Sequence, residues 1–258
     1  MSDPWNFTGK VALPGQSGDT TTLVEESTFA ISSRGGDLTA PGPQGLFVRD
    51  TRILSRFELL VNGERPEPLA AAGEEPFSAV FVTRLQPRPG RADSTLMVFR
   101  ARYVGQGMRE DLVIRNFADE ATFCSVELFF DSDFADLFAV KEGRRAELEG
   151  DITREPGRDQ VEVTYRRGTV HRGVVLRFSP APTKLGADIA TFEVIVPARG
   201  EWRACIEVHP VIEGKVIDPR YLCGQPVERG APSERLAKWR RQVPQVDTDH
   251  EALGSVLA

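Results

Sequence analysis

Two stretches of this chain concentrate the side chains that could do chemistry. Asp131, Asp133 and Asp136 place three acids within six residues, with Phe134 between them and Leu137 and Phe138 following. Paired carboxylates can act as general acid and base at a glycosidic bond, provided the fold sets a defined separation between them. The second stretch is Arg49-Asp50-Thr51-Arg52. Strict strand alternation there puts Arg49 and Thr51 on the face of Phe47, Ile53 and Phe57, driving a guanidinium toward a core where it needs a carboxylate partner. Otherwise a bend at Asp50-Thr51 resets the register. The competing structural reading, which the sequence favours, is that Asp133 and Asp136 cap or pair with arginines such as Arg49 and Arg52 and fasten the sheets. Ion-pair networks of that kind imitate active sites.

Other chemistries find no footing. The histidines are His171, His209 and His250, with no HxH, HExxH or cysteine pair, so no metal centre is implied. His209 falls on the polar face of a predicted strand and reads as solvated or structural. Gly105-Gln106-Gly107 lacks the third glycine of a dinucleotide fingerprint, and Gly35-Gly36-Asp37 reads as a turn after the strand holding Phe29 and Ile31. Gly15-Gln16-Ser17-Gly18 misses the nucleophile-elbow pattern by one position. No cofactor is expected. Cys124, Cys205 and Cys223 form no CxxC and leave an odd count, which predicts reduced thiols in a cytoplasm.

The elements that must position these residues are written as strands. The chain has 258 residues and a net charge of −6, which argues against nucleic acid as a partner. It has no apolar run long enough to span a membrane and no leader-like start, so the expected setting is cytoplasmic. Its 23 glycines and 18 prolines punctuate short apolar runs. Phe57, Leu59 and Val61 alternate with polar neighbours and end at Asn62-Gly63, a hairpin signal. Residues 95–103 and 111–117 flank Gly105-Gln106-Gly107 as a second hairpin. The same period of two recurs at Val126, Leu128 and Phe130, at Val161, Val163 and Tyr165, at Val174, Leu176 and Phe178, and from Trp202 to Val208. About ten or more strands of this kind need two sheets, so the expected fold is all-β, a large antiparallel β-sandwich. Helical spacing comes late: Pro232-Ser233-Glu234 opens a run with Leu236, Trp239 and Val243 on one face, closed by Pro244, and a further helix is expected to begin at Asp249. The expected division is a tail over 1–18, a sandwich over 19–228, and over 229–258 a linker helix leading into a further, helical domain.

The blocks from Leu23 to Asp37, from Gly45 to Gly63 and from Asp133 to Gly143 resemble, in that order, the N-terminal domain of bacterial glycogen debranching enzymes of the amylo-α-1,6-glucosidase type. The resemblance spans most of residues 20–215, although Ala139 and Lys141 stand where the family pattern has Glu and Arg. It implies a supersandwich-like β domain that packs on a C-terminal (α/α)₆ barrel, with the catalytic carboxylates in the barrel and an α-glucan such as glycogen as substrate. No catalytic residue then falls in this chain, and Arg49, Asp50, Arg52, Asp133 and Asp136 become candidates for a substrate or domain interface. Two alternatives stand beside this. One is a carbohydrate-binding or assembly module using Trp202, Trp239 or Tyr221 as stacking platforms, although Trp202 and Trp239 are placed for core or interface. The other is a hydrolase built on the Asp131–Asp136 cluster.

Overall fold

The computed structural model describes residues 16–17, 20–40, 42–87, 94–143 and 150–243. The rest of the expected tail and the helix start at Asp249 lie outside the described residues. Among those residues the chain forms eighteen strands in three antiparallel sheets. The first holds β1 (Gln16–Ser17), β2 (Thr20–Glu25), β3 (Thr28–Ser33), β4 (Gly45–Val48) and β5 (Thr51–Leu54) in sequence order. The second contains β6 (Arg56–Val61), β11 (Thr122–Asp131), β15 (Lys184–Leu185) and β16 (Ile189–Val196), ordered β15-β16-β11-β6.

The largest sheet takes β7 (Glu67–Glu75), β8 (Ser78–Arg84), β9 (Leu96–Val104), β10 (Met108–Asn116), β12 (Asp151–Pro156), β13 (Gln160–Arg167), β14 (Val170–Ser179) and β17 (Glu201–Ile212). Its order is β12-β13-β14-β17-β10-β9-β8-β7, with β18 (Lys215–Val216) on β17. The two smaller sheets are stitched together. Only Ser55 separates β5 from β6, and Leu38 exchanges two backbone hydrogen bonds with Phe57 at 3.1 and 2.9 Å. The all-β sandwich is therefore what the sequence forms.

Alternation decides which side chains meet between the layers. In β11 the residues Cys124, Val126, Leu128 and Phe130 are buried while Phe123, Ser125, Glu127 and Phe129 face outward or sit at the margin. Phe130 and Phe192 from the smaller sheet meet Phe178 of β14 at ring separations of 6.1 and 6.3 Å, and Trp202 of β17 packs on Phe192 at 5.3 Å. The Gly105–Gly107 hairpin forms as expected between β9 and β10. Asn62-Gly63 makes its tight turn, with φ of 55° and 77°. The strands on either side do not pair, however: β6 lies against β11, and the chain crosses to the other layer to start β7. The turn chemistry was legible, but the partner was set by which layer the next strand had to fill.

An ionic cluster lies inside this apolar sandwich. Arg100 and Arg102 occupy the inward parity of β9 together with Val98 and Val104 and are 1% and 0% exposed. Glu110 of β10 stands opposite Arg102 in the ladder. Its Oε1 accepts from Arg100 Nε at 2.6 Å and its Oε2 from Arg102 Nε at 2.7 Å. Across the layers, Arg100 Nη1 donates to Asp37 Oδ1 at 2.6 Å, and Arg102 Nη2 donates to the Gly36 carbonyl at 2.6 Å. Asp37 in turn accepts from the Leu59 amide at 3.1 Å, so β9 and β10 are tied to the turn after β3 and to β6. Gly36 sits at φ +86° with its missing Cβ 2.9 Å from the Phe81 ring, so only glycine brings its carbonyl to Arg102 without displacing that ring. The Phe57 ring lies under both guanidiniums at 5.6 and 5.7 Å, within cation–π range.

Burial raises the Glu110 pKa, but the charges and hydrogen bonds of Arg100 and Arg102 outweigh it and hold the carboxyl below the usual glutamate value. Burial likewise depresses Arg100, yet Glu110 and Asp37 more than offset it; Arg102, beside Arg100 and farther from Asp37, is left depressed by burial. Glu58 follows the pattern of Glu110, with burial overcome by Arg56 and Arg65.

The expectation of three free thiols is corrected. Cys205 on β17 and Cys223 in the segment after β18 form a disulfide, with Cα atoms 6.0 Å apart, while Cys124 is a buried thiol outside any disulfide. The two lie 18 residues apart with no motif between them, so only the return of the chain past β17 reveals the pair. His209 is fully buried and structural, held by Glu207 at 2.9 Å and Asp218 at 3.1 Å.

Removing the shared carboxylate should expose its importance. Glu110→Gln leaves two buried guanidiniums short of a counter-charge and is expected to cost about 3–5 kcal/mol in urea unfolding, whereas a loss below about 1 kcal/mol would contradict the cluster's role. Because the folded Glu110 and Glu58 pKa values lie below their ordinary 4.5, their stabilisation is complete above that pH and is lost as pH falls through the folded values. The acid limb of stability against pH should therefore begin below about 4.5 and be shallower in Glu110→Gln.

Candidate functional site

The Arg49-Asp50 pair forms the tip of the β4–β5 hairpin. Both residues have positive φ, 47° and 62°, as a two-residue hairpin turn with the strand twist requires, and both are exposed. The expectation that alternation aims Arg49 at the core is thus replaced by the bend, and the register resets so that Val48 faces Thr51 and Phe47 faces Arg52. It is Arg52 that goes inside, at 6% exposure.

Arg52 is met there by the acidic stretch. Its Nε donates to Asp133 Oδ1 at 3.0 Å and its Nη2 to Asp133 Oδ2, a forked pair. Its Nη1 donates to the Gly42 and Gln44 carbonyls at 2.7 and 3.1 Å. Gly45 makes room for it: a Cβ there would stand 2.5 Å from Arg52 Cδ and 3.0 Å from the Leu54 carbonyl, at a backbone φ of +153°. The backbones also join, through Arg52 N to Ala135 O at 2.9 Å and Leu137 N to Asp50 O at 2.9 Å. Asp136 accepts from the Phe138 amide at 2.8 Å and is the N-cap of a short helix, α1 (Leu137–Lys141). Asp131 pairs with Arg154 of β12 at 2.7 Å, and Arg172 of β14 donates to the Thr51 hydroxyl.

The five candidate residues therefore converge on one rim. Arg52 and Asp133 clamp it, Asp136 caps it, and Arg49 and Asp50 stand in solvent beside Phe138, which is 62% exposed. All three acids of the 131–136 stretch are engaged in holding backbone or arginine, which is the structural reading anticipated from the sequence. Residue spacing did not single out Asp37, Arg100, Arg102 and Glu110. A signal was present, since the alternation of β9 puts two arginines in phase with Val98 and Val104. Among the proposed stacking platforms, Tyr221 is buried, Trp202 is half-buried against Phe192, and Trp239 is 56% exposed on α2 (Ala231–Gln242), so of the two places expected for it, core or interface, the core of the described residues is not the one it takes.

Gly45→Ala tests the clamp with the smallest change. Crowding Arg52 at a strained φ is expected to lower unfolding stability by about 1–3 kcal/mol in urea titration, and an unchanged midpoint would show that Arg52 has slack.

A family model described as the N-terminal domain of (some) glycogen debranching enzymes matches residues 23–207. No curated protein matches the chain in sequence. Among solved structures, a candidate kojibiose phosphorylase from human microbiome is similar at a TM-score of 0.50 and 11% identity, covering 85% of this chain and 32% of that one. The chain thus spans about a third of that protein's length. The Slr1438 protein from Synechocystis sp. PCC 6803 is similar at a TM-score of 0.47 and 11% identity, covering 78% of this chain and 98% of that one.

Proposed function

Given that the chain belongs to the family of N-terminal domains of (some) glycogen debranching enzymes, we propose that it is the non-catalytic β-sandwich of an amylo-α-1,6-glucosidase. In this reading it buttresses a catalytic (α/α)₆ barrel of the same protein, which hydrolyses α-1,6 branches of a glucan such as glycogen. The observation that supports the non-catalytic role is the engagement of Asp131, Asp133 and Asp136 by Arg154, Arg52 and the Phe138 amide. Inverting glycosidases need two carboxylates facing a substrate and a water, whereas these acids face their own scaffold.

The rim gives the support its contact surface. Arg49 and Asp50 offer a cation and an anion on a rigid turn, Phe138 adds an exposed ring, and Arg52, Asp133 and Asp136 act as positioning residues beneath them. A rigid turn loses little freedom on docking, so its contacts convert into affinity more fully than those of a loose loop. The implied setting is a cytoplasmic glucan store, where reducing conditions would act on the Cys205–Cys223 bond.

The purified 258-residue chain should release no glucose from branched limit dextrin, with activity appearing once a downstream catalytic region is joined to it. Sustained turnover by the chain alone would overturn this reading.

A further inference from the structure

The Cys205–Cys223 bond fastens the chain at the root of α2. Cys223 lies in the connection from β18 to α2, and both cysteines are half-buried, with Gly224, Gln225 and Pro226 exposed beside them. Hydrogen bonds pin the same connection to β10 and β17: Arg109 Nη1 donates to the Leu222 and Gln225 carbonyls at 2.7 and 2.8 Å, and the Cys223 amide donates to Glu207. Tyr221 is buried against Phe77 and Tyr103, and its hydroxyl meets Ser233 of α2 at 3.0 Å. Beyond this root α2 is weakly held. Of its twelve residues only Pro232 is buried. A cavity of about 460 Å³, with Val80, Tyr103, Leu236 and Ala237 in its lining, lies between the helix and strands β7 and β8. The side attachments are ion pairs of exposed arginines, Arg235 with Glu25 and Glu26 and Arg240 with Glu75, and such pairs contribute little in water. The placement of α2 is therefore inherited from the segment that the disulfide clips.

We propose that Cys205 and Cys223 form a thiol–disulfide exchange site, opened by a dithiol reductant, whose state sets how firmly α2 is held on the sandwich. A thiolate of the reductant attacks one sulfur of the bond, forming a mixed disulfide and releasing the other cysteine as its thiolate. The reductant's second thiolate then displaces the bound cysteine, so the reductant leaves as a disulfide, two electrons pass to the clip, and Cys205 and Cys223 each end as a protonated thiol. Opening the clip restores chain entropy to the segment that carries α2 and leaves Arg109, Glu207 and Tyr221 to hold it alone. The sheets are packed through their own core and do not depend on the bond. In the cytoplasmic setting proposed above, on which the biological use of this site rests, disulfides that form are usually transient and redox-sensing. The chemistry itself needs only the two cysteines and the reductant.

The test uses the full chain, air-oxidised and then treated without denaturant with about 5 mM dithiothreitol. Thiol alkylation of the folded protein, read by mass, should label both Cys205 and Cys223 only after the reductant is added. Hydrogen exchange followed by mass spectrometry should then show the amides of residues 217–242 exchanging about tenfold faster in the reduced chain, with β9, β10 and β11 unchanged. Cys223→Ser should match the reduced chain with or without dithiothreitol, and the reduced wild-type chain gives the same comparison if that variant fails to fold. A bond that dithiothreitol leaves closed in the folded protein, an opened bond with unchanged exchange over 217–242, or an equal acceleration throughout the sheets would each overturn the proposal. No glucan and no partner domain enters these measurements, so their failure leaves the supporting role of the sandwich untouched, and turnover by the chain alone would leave the exchange site untouched.

Discussion

The carboxylate of Glu110 is shared by two guanidiniums that water does not reach, and that sharing allows β9 to carry Arg100 and Arg102 on its inward face. Taking such ions out of water is costly, and their mutual attraction repays the cost only when geometry and hydrogen bonding are good. Here the cross-strand register supplies the geometry and the Gly35–Asp37 turn supplies the remaining acceptors. An apolar core would tolerate a slipped packing of one layer on the other, since hydrophobic contact is not directional. A fork of guanidiniums aimed at one glycine carbonyl and one carboxylate oxygen does not tolerate it.

That fixed relation propagates. Asp37 holds the Leu59 amide, Leu38 bridges Phe57, and β6 continues from β5 with one residue between them. The hairpin tip at Arg49-Asp50 therefore has its position set from the core outward. It meets the 131–137 segment through two backbone hydrogen bonds and the Arg52–Asp133 fork. The rim and the buried cluster share the same chemistry, an arginine whose charge is neutralised by a carboxylate and which also donates to a glycine carbonyl. They differ in exposure, because the cluster closes on itself whereas the rim leaves Arg49, Asp50 and Phe138 facing solvent.

Much of this was legible in the residues. Period-two alternation located β11, β13, β14 and β17 and named their inward residues, and Pro232 marked the start of α2 (Ala231–Gln242). The clustering of acids with the Arg-Asp-Thr-Arg block pointed to the rim, because short-range motifs reflect local geometry. What escaped was set by distant partners. Arg49 and Arg52 exchange roles because two positive-φ residues reverse the chain at the turn, which alternation cannot register. The Asn62-Gly63 turn does not join paired strands, since layer assignment is a property of the whole sandwich. The Cys205–Cys223 disulfide depends on a segment returning past β17, with no local signal.

A rim whose charges serve docking should lose partner affinity when they are removed and keep its own fold. The direct measurement is calorimetric titration of this chain against a separately produced catalytic (α/α)₆ barrel of the kind proposed as its partner, with the native rim and with Arg49→Asn and Asp50→Asn combined. Asparagine tolerates the positive φ of both positions, so the turn survives. The expected result is an affinity weakened by about tenfold or more at an unchanged urea midpoint. An affinity indifferent to both substitutions would contradict the docking role.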